Sequence, residues 1–440
     1  VAEPDEPRLR DPFLSRRAAA MAALGFASGL PFAVANETAS ALLAALKVDR
    51  ETIGLLGAIG TLYALKFLWS PLVDARPMPG LARLGRRRSW LVATQGSLIA
   101  LIAVLAFAAP QAATAPLLPF AGLLVAIALV SATQDLVVNA WTVETFPRRE
   151  LGVGSATSVT GYRIALVFGG AVALQVAASI GWNAAFAVLA SGMGVGLAAA
   201  LASREPSAST AELPPTLAQA FVVPVRDLAR RAGATIPLVA AMVLLFRLPD
   251  QLGGQMQKSL LLETLEYPLG QYGIVRNGIG LGATILGSFI GGGLVISVGL
   301  ARALLVGAVL QAASNLGFAW LAGAVAPMGG EVQSWLSPSI LALLAAACFE
   351  NLCGGLVATV FVAWLMSLCA RRHAAAQYAI LSGGMAFTGG IAVGLSGYLA
   401  ARCSWPAFFV LSALAGIPGI LLALLAARIA IRSDEEKGSV

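Results

Sequence analysis

Charge is scarce in this sequence. Only 12% of its 440 residues are Asp, Glu, Lys or Arg, against about 25% in a soluble globular domain, so most of its surface cannot face water. Histidine is scarcer still, with His373 the single example. Lacking a Ser/His/Asp grouping or metal-ligand spacing, the chain is not expected to be an enzyme. The cysteines Cys348, Cys353, Cys369 and Cys403 match no dense disulfide framework. Cys348 and Cys353 lie within one apolar stretch and read as packing residues, so neither a metal nor a cofactor is expected. The alternating segments of roughly ten residues that mark a membrane β-barrel are also missing.

What fills the chain instead is apolar: 58% of residues are hydrophobic and 47 are glycine, with a mean hydropathy of +0.82. That combination suits helices packed closely in lipid. A spanning helix needs roughly 20 mostly apolar residues. Twelve stretches meet this length: 18–46, 51–72, 88–110, 117–140, 152–176, 182–201, 236–262, 271–295, 301–323, 339–367, 377–400 and 404–428. The expected fold is an all-α membrane protein of twelve transmembrane helices in two six-helix bundles. Residues 1–17 read as a cytoplasmic tail without a cleavable hydrophobic core, 18–201 as the first bundle, 202–235 as a linker, 236–428 as the second bundle and 429–440 as a second tail. The linker contains SREPSASTAELPP followed by the basic VRDLARRAG, which suits a hinge carrying a surface helix.

The formal charge of +7 could suit nucleic acid, but the basic residues sit in short gaps between apolar stretches. Nucleic acid is therefore not expected as a partner, whereas membrane phospholipid is. If both termini are cytoplasmic, cytoplasmic segments hold 21 of the 29 Lys and Arg, while outer segments hold Lys47, Arg50 and Arg402. The positive-inside rule thus favours this one orientation.

A faint internal repeat accompanies the two-bundle division. Gly29-Leu30-Pro31-Phe32 corresponds to Arg247-Leu248-Pro249-Asp250 at an offset of 218, Gly85-Arg86 to Ala301-Arg302 at 216, and Asp135 to Glu350 at 215. The near-constant offset suggests homologous halves, as in the major facilitator architecture.

Ionisable residues inside spans are costly and need a partner or a wet cavity. Glu37 follows Pro31 and Asn36 in the first span, where proline frees a backbone carbonyl. The fourth span aligns Ser131, Asp135, Asn139 and Thr142 on one polar face, with Gln134 beside it and Glu144 near its end. The seventh holds Arg247, Asp250, Gln251, Gln255 and Lys258; the tenth holds Glu350 and Asn351, and the fifth Arg163. Arg247 could receive a substrate carboxylate or merely neutralise Asp250. Lys66 and Arg276 are less specific, because long basic side chains near helix ends can snorkel, a reading that competes with a role inside the membrane. For the fourth and tenth spans, a structural hydrogen-bond network or ion pair is the competing reading. The oligomeric expectation is a functional monomer.

The stretches GFASGLPFAVANE at 25–37, ETIGLLGAIGTLYALKFLWSPLVDARPMPGLARLGRRRSW at 51–90, ATQDLVVNAWTVE at 132–144 and FVAWLMSLCARRHAAAQYAILS at 361–382 closely resemble AmpG-type muropeptide permeases. These belong to the peptide and acetyl-coenzyme A transporter branch of the major facilitator superfamily. The resemblance implies proton-driven import of anhydromuropeptides, the GlcNAc-anhydroMurNAc peptides of cell-wall turnover, across a bacterial inner membrane. The alternative is a siderophore or acetyl-coenzyme A type transporter of the same fold. Where the family pattern has a second Asp in the fourth span, this chain has Asn139, which cannot accept a proton.

The expected mechanism is alternating access for a polar small molecule and protons. Asn36, Arg163, Arg247, Gln251, Gln255 and Asn351 would bind substrate, while Glu37, Asp135, Asp250 and Glu350 would be proton-coupling candidates. Pro31, Asp74, Arg86, Asn139, Glu144 and Pro249 would serve gating, with the basic run Arg86-Arg87-Arg88 latching the cytoplasmic side. For that run, the competing reading is ordinary positive-inside topology and phospholipid contact.

Overall fold

A backbone in hydrocarbon must satisfy its N–H and C=O groups internally, which makes helices the natural solution for a chain this apolar. A computed structural model describes residues 12–48, 65–110, 116–206 and 217–438. Among these residues, eleven helices are long and apolar enough to cross a membrane. They are α1 (Arg16–Ala45), α2 (Arg86–Ala108), α3 (Leu118–Thr145), α4 (Arg148–Ser179), α5 (Trp182–Ala202), α6 (residues 236–264 of the run Val222–Thr264), α7 (Gly270–Val298), α8 (Leu300–Ala324), α9 (Pro338–Leu368), α10 (Arg371–Ala400) and α11 (Trp405–Arg428). The expected span 51–72 falls mostly outside the described residues, which resume with a short turn at 65–68 and the helix Ser70–Ala75.

The chain clusters into two units. The first comprises residues through Leu228 together with Met366–Ile380, and the second comprises Ala229–Leu365 and Leu381–Val440. In the first, Leu98, Ile102, Leu105, Phe120, Leu124, Phe186 and Leu189 share a buried apolar cluster. In the second, Phe318, Leu343, Phe408 and Phe409 do the same, with Phe318 stacked on Phe409 at 5.5 Å between ring centroids.

Apolar burial alone does not hold helices together in lipid, so close van der Waals approach must contribute. Gly25 of α1 and Gly161 of α4 permit it. A Cβ at Gly25 would stand 2.2 Å from the Ser158 carbonyl oxygen, and one at Gly161 would stand 2.0 Å from that of Ala22. Since both obstacles are backbone, Gly161→Ala is expected to cost about 1–3 kcal/mol, read as a lower melting temperature in detergent. An unchanged melting temperature would show that α1 and α4 can separate without loss.

Among the described residues, four wide turns interrupt the regular helices: Val34–Thr38 in α1, Phe168–Val172 in α4, Leu260–Thr264 at the end of α6 and Ile274–Ile279 in α7. Each is a π turn, which re-aims side chains and frees carbonyls. Two are joined, because Thr38 Oγ1 donates to the Gly169 carbonyl at 2.8 Å. The α6 helix also breaks after Leu245 and resumes at Leu248, with Pro249 in the first turn of the resumed segment. A proline there gives up an N–H that needs no intrahelical partner.

Candidate functional site

On the polar face of α3, Asp135 has a charged partner from elsewhere in the chain. Asp135 Oδ2 forms an ion pair with Lys66 Nζ, while Oδ1 accepts from Ser28 Oγ of α1 at 3.2 Å. The snorkelling reading of Lys66 is thereby corrected: its side chain is only 13% exposed. An intramembrane ammonium is held more cheaply by a carboxylate than by lipid. Asn139 turns back to the Asp135 carbonyl at 2.7 Å, and Thr142 to that of Val138 at 2.9 Å. Both therefore use hydrogen-bonding capacity within their own helix.

In α1, Pro31 is buried and the helix continues through it into the π turn. Asn36 lies in that turn and donates to the Phe32 carbonyl at 3.1 Å, whereas neighbouring Glu37 is exposed. Arg163 is half-buried on α4, next to Tyr162.

The second unit repeats the acid-base arrangement. Glu350 of α9 accepts from Arg276 Nη1 at 3.1 Å, and their side chains are 10% and 27% exposed. Arg276 is therefore an ion-pair partner as well, and the snorkelling reading is again corrected. It sits in the Ile274–Ile279 π turn, whose altered periodicity obscures its facing in the sequence. Asp135 and Glu350, the acids set 215 residues apart in the sequence, are each paired with a cation from earlier in the chain.

Arg247 stands at the break in α6 and pairs through Nη2 with Asp250 Oδ2. Its Nε is buried without a hydrogen-bond partner, leaving a donor. Asn315 Nδ2 donates to the Pro249 carbonyl at 3.3 Å, supporting the resumed helix. Gln251 packs where a Cβ at Gly389 would meet its amide at 2.9 Å. Asn351 donates to the Ala347 carbonyl at 2.8 Å and accepts from Thr284 Oγ1 at 3.2 Å. The side chain of Gln255 lies outside those described.

A second polar cluster joins the helix ends of the first unit. Arg87 is fully buried and bonds Asp74 Oδ1 at 2.6 Å, Glu144 Oε1 and the Val73 carbonyl. Arg86 donates to Glu144 at 2.9 Å and to the Asp74 carbonyl. The sequence brings Asp74, Arg86 and Glu144 forward as gating residues, but Arg87 is the cation touching both carboxylates. Asp74 also accepts from the backbone N–H groups of Ala375 at 3.0 Å and Ala376 at 2.8 Å. It thus caps the first turn of α10 with a carboxylate some 300 residues away in sequence, where the helix dipole favours negative charge.

Two further acids have roles that the sequence does not announce. Glu205 accepts from the N–H groups of Arg87 and Arg88 at 2.7 and 2.9 Å, capping α2. Asp227 pairs with Arg372 and accepts from Gln377 Nε2 at 3.0 Å. Adjacent arginines hide each acid in a basic setting, and no linear spacing reveals its distant partners.

Residues 18–332 match the family profile of the major facilitator superfamily. The chain is 37% identical over 415 residues to the anhydromuropeptide permease of Escherichia coli (strain K12), covering 94% of this chain and 80% of that protein. Among solved structures, it is similar to the human organic anion transporter MFSD10, with a TM-score of 0.65 at 14% identity over 95% of this chain and all of that one. It is also similar to the transporter FucP in the outward conformation, with a TM-score of 0.64 at 14% identity over 93% and 98% of the respective chains. These structural likenesses establish a shared fold.

Proposed function

This chain belongs to the major facilitator superfamily, in its AmpG-type anhydromuropeptide permease family, and on that premise we propose that it imports anhydromuropeptides from periplasm to cytoplasm by proton-coupled alternating access. The similarity to the Escherichia coli permease along 94% of the chain is the observation that carries the cargo assignment. Its setting is the bacterial inner membrane, with twelve spans in two six-helix bundles, both termini cytoplasmic and one chain as the working unit. Eleven described spans and the basic residues of the inferred inner loops support that arrangement.

Coupling is assigned to the paired acids. With Asp135 ionised, Lys66 is neutralised by it; a proton entering from the periplasm converts the carboxylate to carboxyl and removes that pairing. Glu350 and Arg276 provide the equivalent element in the second unit. Glu37 and Asp250 are further proton-accepting candidates, Asp250 after separation from Arg247. Arg247, with its remaining Nε–H, and Arg163 meet carboxylates of the peptide part. Asn36, Gln251, Gln255 and Asn351 supply hydrogen bonds to the sugars.

Gating is assigned to the interrupted helices at Pro31 and Pro249 and to the Asp74, Arg86 and Glu144 cluster, with Asn139 shaping α3 beside it. The Asp74 cap on α10 supports a latch, because those two N–H bonds must open if the 366–380 segment leaves the first unit.

Proteoliposomes with a more acidic exterior are expected to accumulate labelled anhydromuropeptide, and a protonophore should abolish the gradient-driven component. Equal or greater uptake of a ferric siderophore or acetyl-coenzyme A, with no anhydromuropeptide uptake, would overturn the cargo assignment.

A further inference from the structure

The linker carries a helix at Leu217–Ala232 to which the transport assignments give no role of its own. One side is tied to the first unit: Gln377 Nε2 donates to the carbonyl of buried Pro224 at 2.9 Å, and Asp227 holds Arg372 and Gln377. Asp227 is the helix's one acidic residue, and it is engaged on that side. At about 100° per residue, Val225, Val222, Arg226, Arg230 and Val223 occupy an arc of about 160°. Val222, Val223 and Val225 are 50%, 40% and 47% exposed, and Arg226 and Arg230 are exposed beside them.

This face suits neither plain water nor hydrocarbon. Three exposed valines would be costly in water, and two guanidinium groups would be costly in the bilayer core. A boundary that is apolar below and anionic above accommodates both. Gly233, with φ +52°, ends the regular helix before the span beginning at Ile236.

We propose that the linker helix is a docking surface for anionic phospholipid of the cytoplasmic leaflet, its valines entering the interface while Arg226 and Arg230 meet headgroup phosphates. Positive charge opposite a negative leaflet fixes the choice of occupant, each arginine favouring the interfacial position by about five-fold. This inference rests on the membrane assignment and is independent of cargo. Since Asp227 ties the same helix to Arg372 and Gln377, leaflet charge acts on an element bound to the 366–380 segment.

The test places an environment-sensitive fluorescent amino acid at position 222 by codon suppression. The full chain is reconstituted in vesicles of phosphatidylcholine alone or mixed with phosphatidylglycerol, each containing a headgroup-nitroxide quencher. Strong quenching is expected in the anionic vesicles. The Arg226→Gln, Arg230→Gln pair should reduce it several-fold, whereas Arg226→Lys with Arg230→Lys should retain it. Absence of quenching in both vesicles would overturn the proposal in favour of a water- or protein-facing helix. Equal quenching in both vesicles that ignores the glutamine pair would also overturn it, because valine burial alone would then suffice.

Discussion

Arg87→Ala is expected to abolish substrate accumulation and to destabilise the folded chain by about 3–5 kcal/mol, the cost of leaving buried charge without its partner. The substitution removes the cation shared by Asp74 and Glu144, both buried. Arg86 does not replace it, since its guanidinium bonds Glu144 and the Asp74 carbonyl rather than the Asp74 carboxylate. Arg87→Lys keeps the charge but loses the planar fork that reaches two carboxylates and the Val73 carbonyl, so an intermediate loss is expected. Removing an acid as well, in Arg87→Ala with Glu144→Ala, should recover part of the stability without recovering uptake. A double-mutant cycle of thermal unfolding in detergent reads that coupling. Additive effects, or an unchanged melting temperature for Arg87→Ala, would contradict the shared-cation account.

The contrast between Arg86 and Arg87 shows what a linear pattern carries. Spans were legible because a bilayer imposes length and polarity on every crossing segment, and the eleven described spans overlap the corresponding apolar stretches. The acids Asp135 and Glu350 were legible because charge inside an apolar stretch is conspicuous. Their partners were not, since Lys66 is 69 residues from Asp135 and Arg276 is 74 from Glu350. Only packing decides which helices become neighbours. The π turns were hidden too, because one widened turn scarcely changes an apolar run yet rotates every side chain beyond it. Least visible was the return of Met366–Ile380 to the first unit, which depends on backbone N–H groups that every non-proline residue possesses.

Asp135→Asn is expected to lower proton-driven anhydromuropeptide accumulation by at least about tenfold, because an amide cannot carry the proton that a carboxylate accepts. Exchange of labelled for unlabelled substrate without a proton gradient should persist, since Asn retains hydrogen-bonding capacity toward Ser28. That split separates coupling from folding or binding, both of which would reduce exchange as well. Lys66→Met combined with Asp135→Asn removes the partnerless ammonium and should improve stability relative to Asp135→Asn alone while leaving accumulation low. Glu350→Gln distinguishes the two units, because its Arg276 partner reproduces the same acid-base arrangement. If Asp135→Asn accumulates normally and Glu350→Gln does not, the coupling assignment moves to the second unit. If both accumulate normally, the paired acids are structural, and proton coupling cannot depend on either pair.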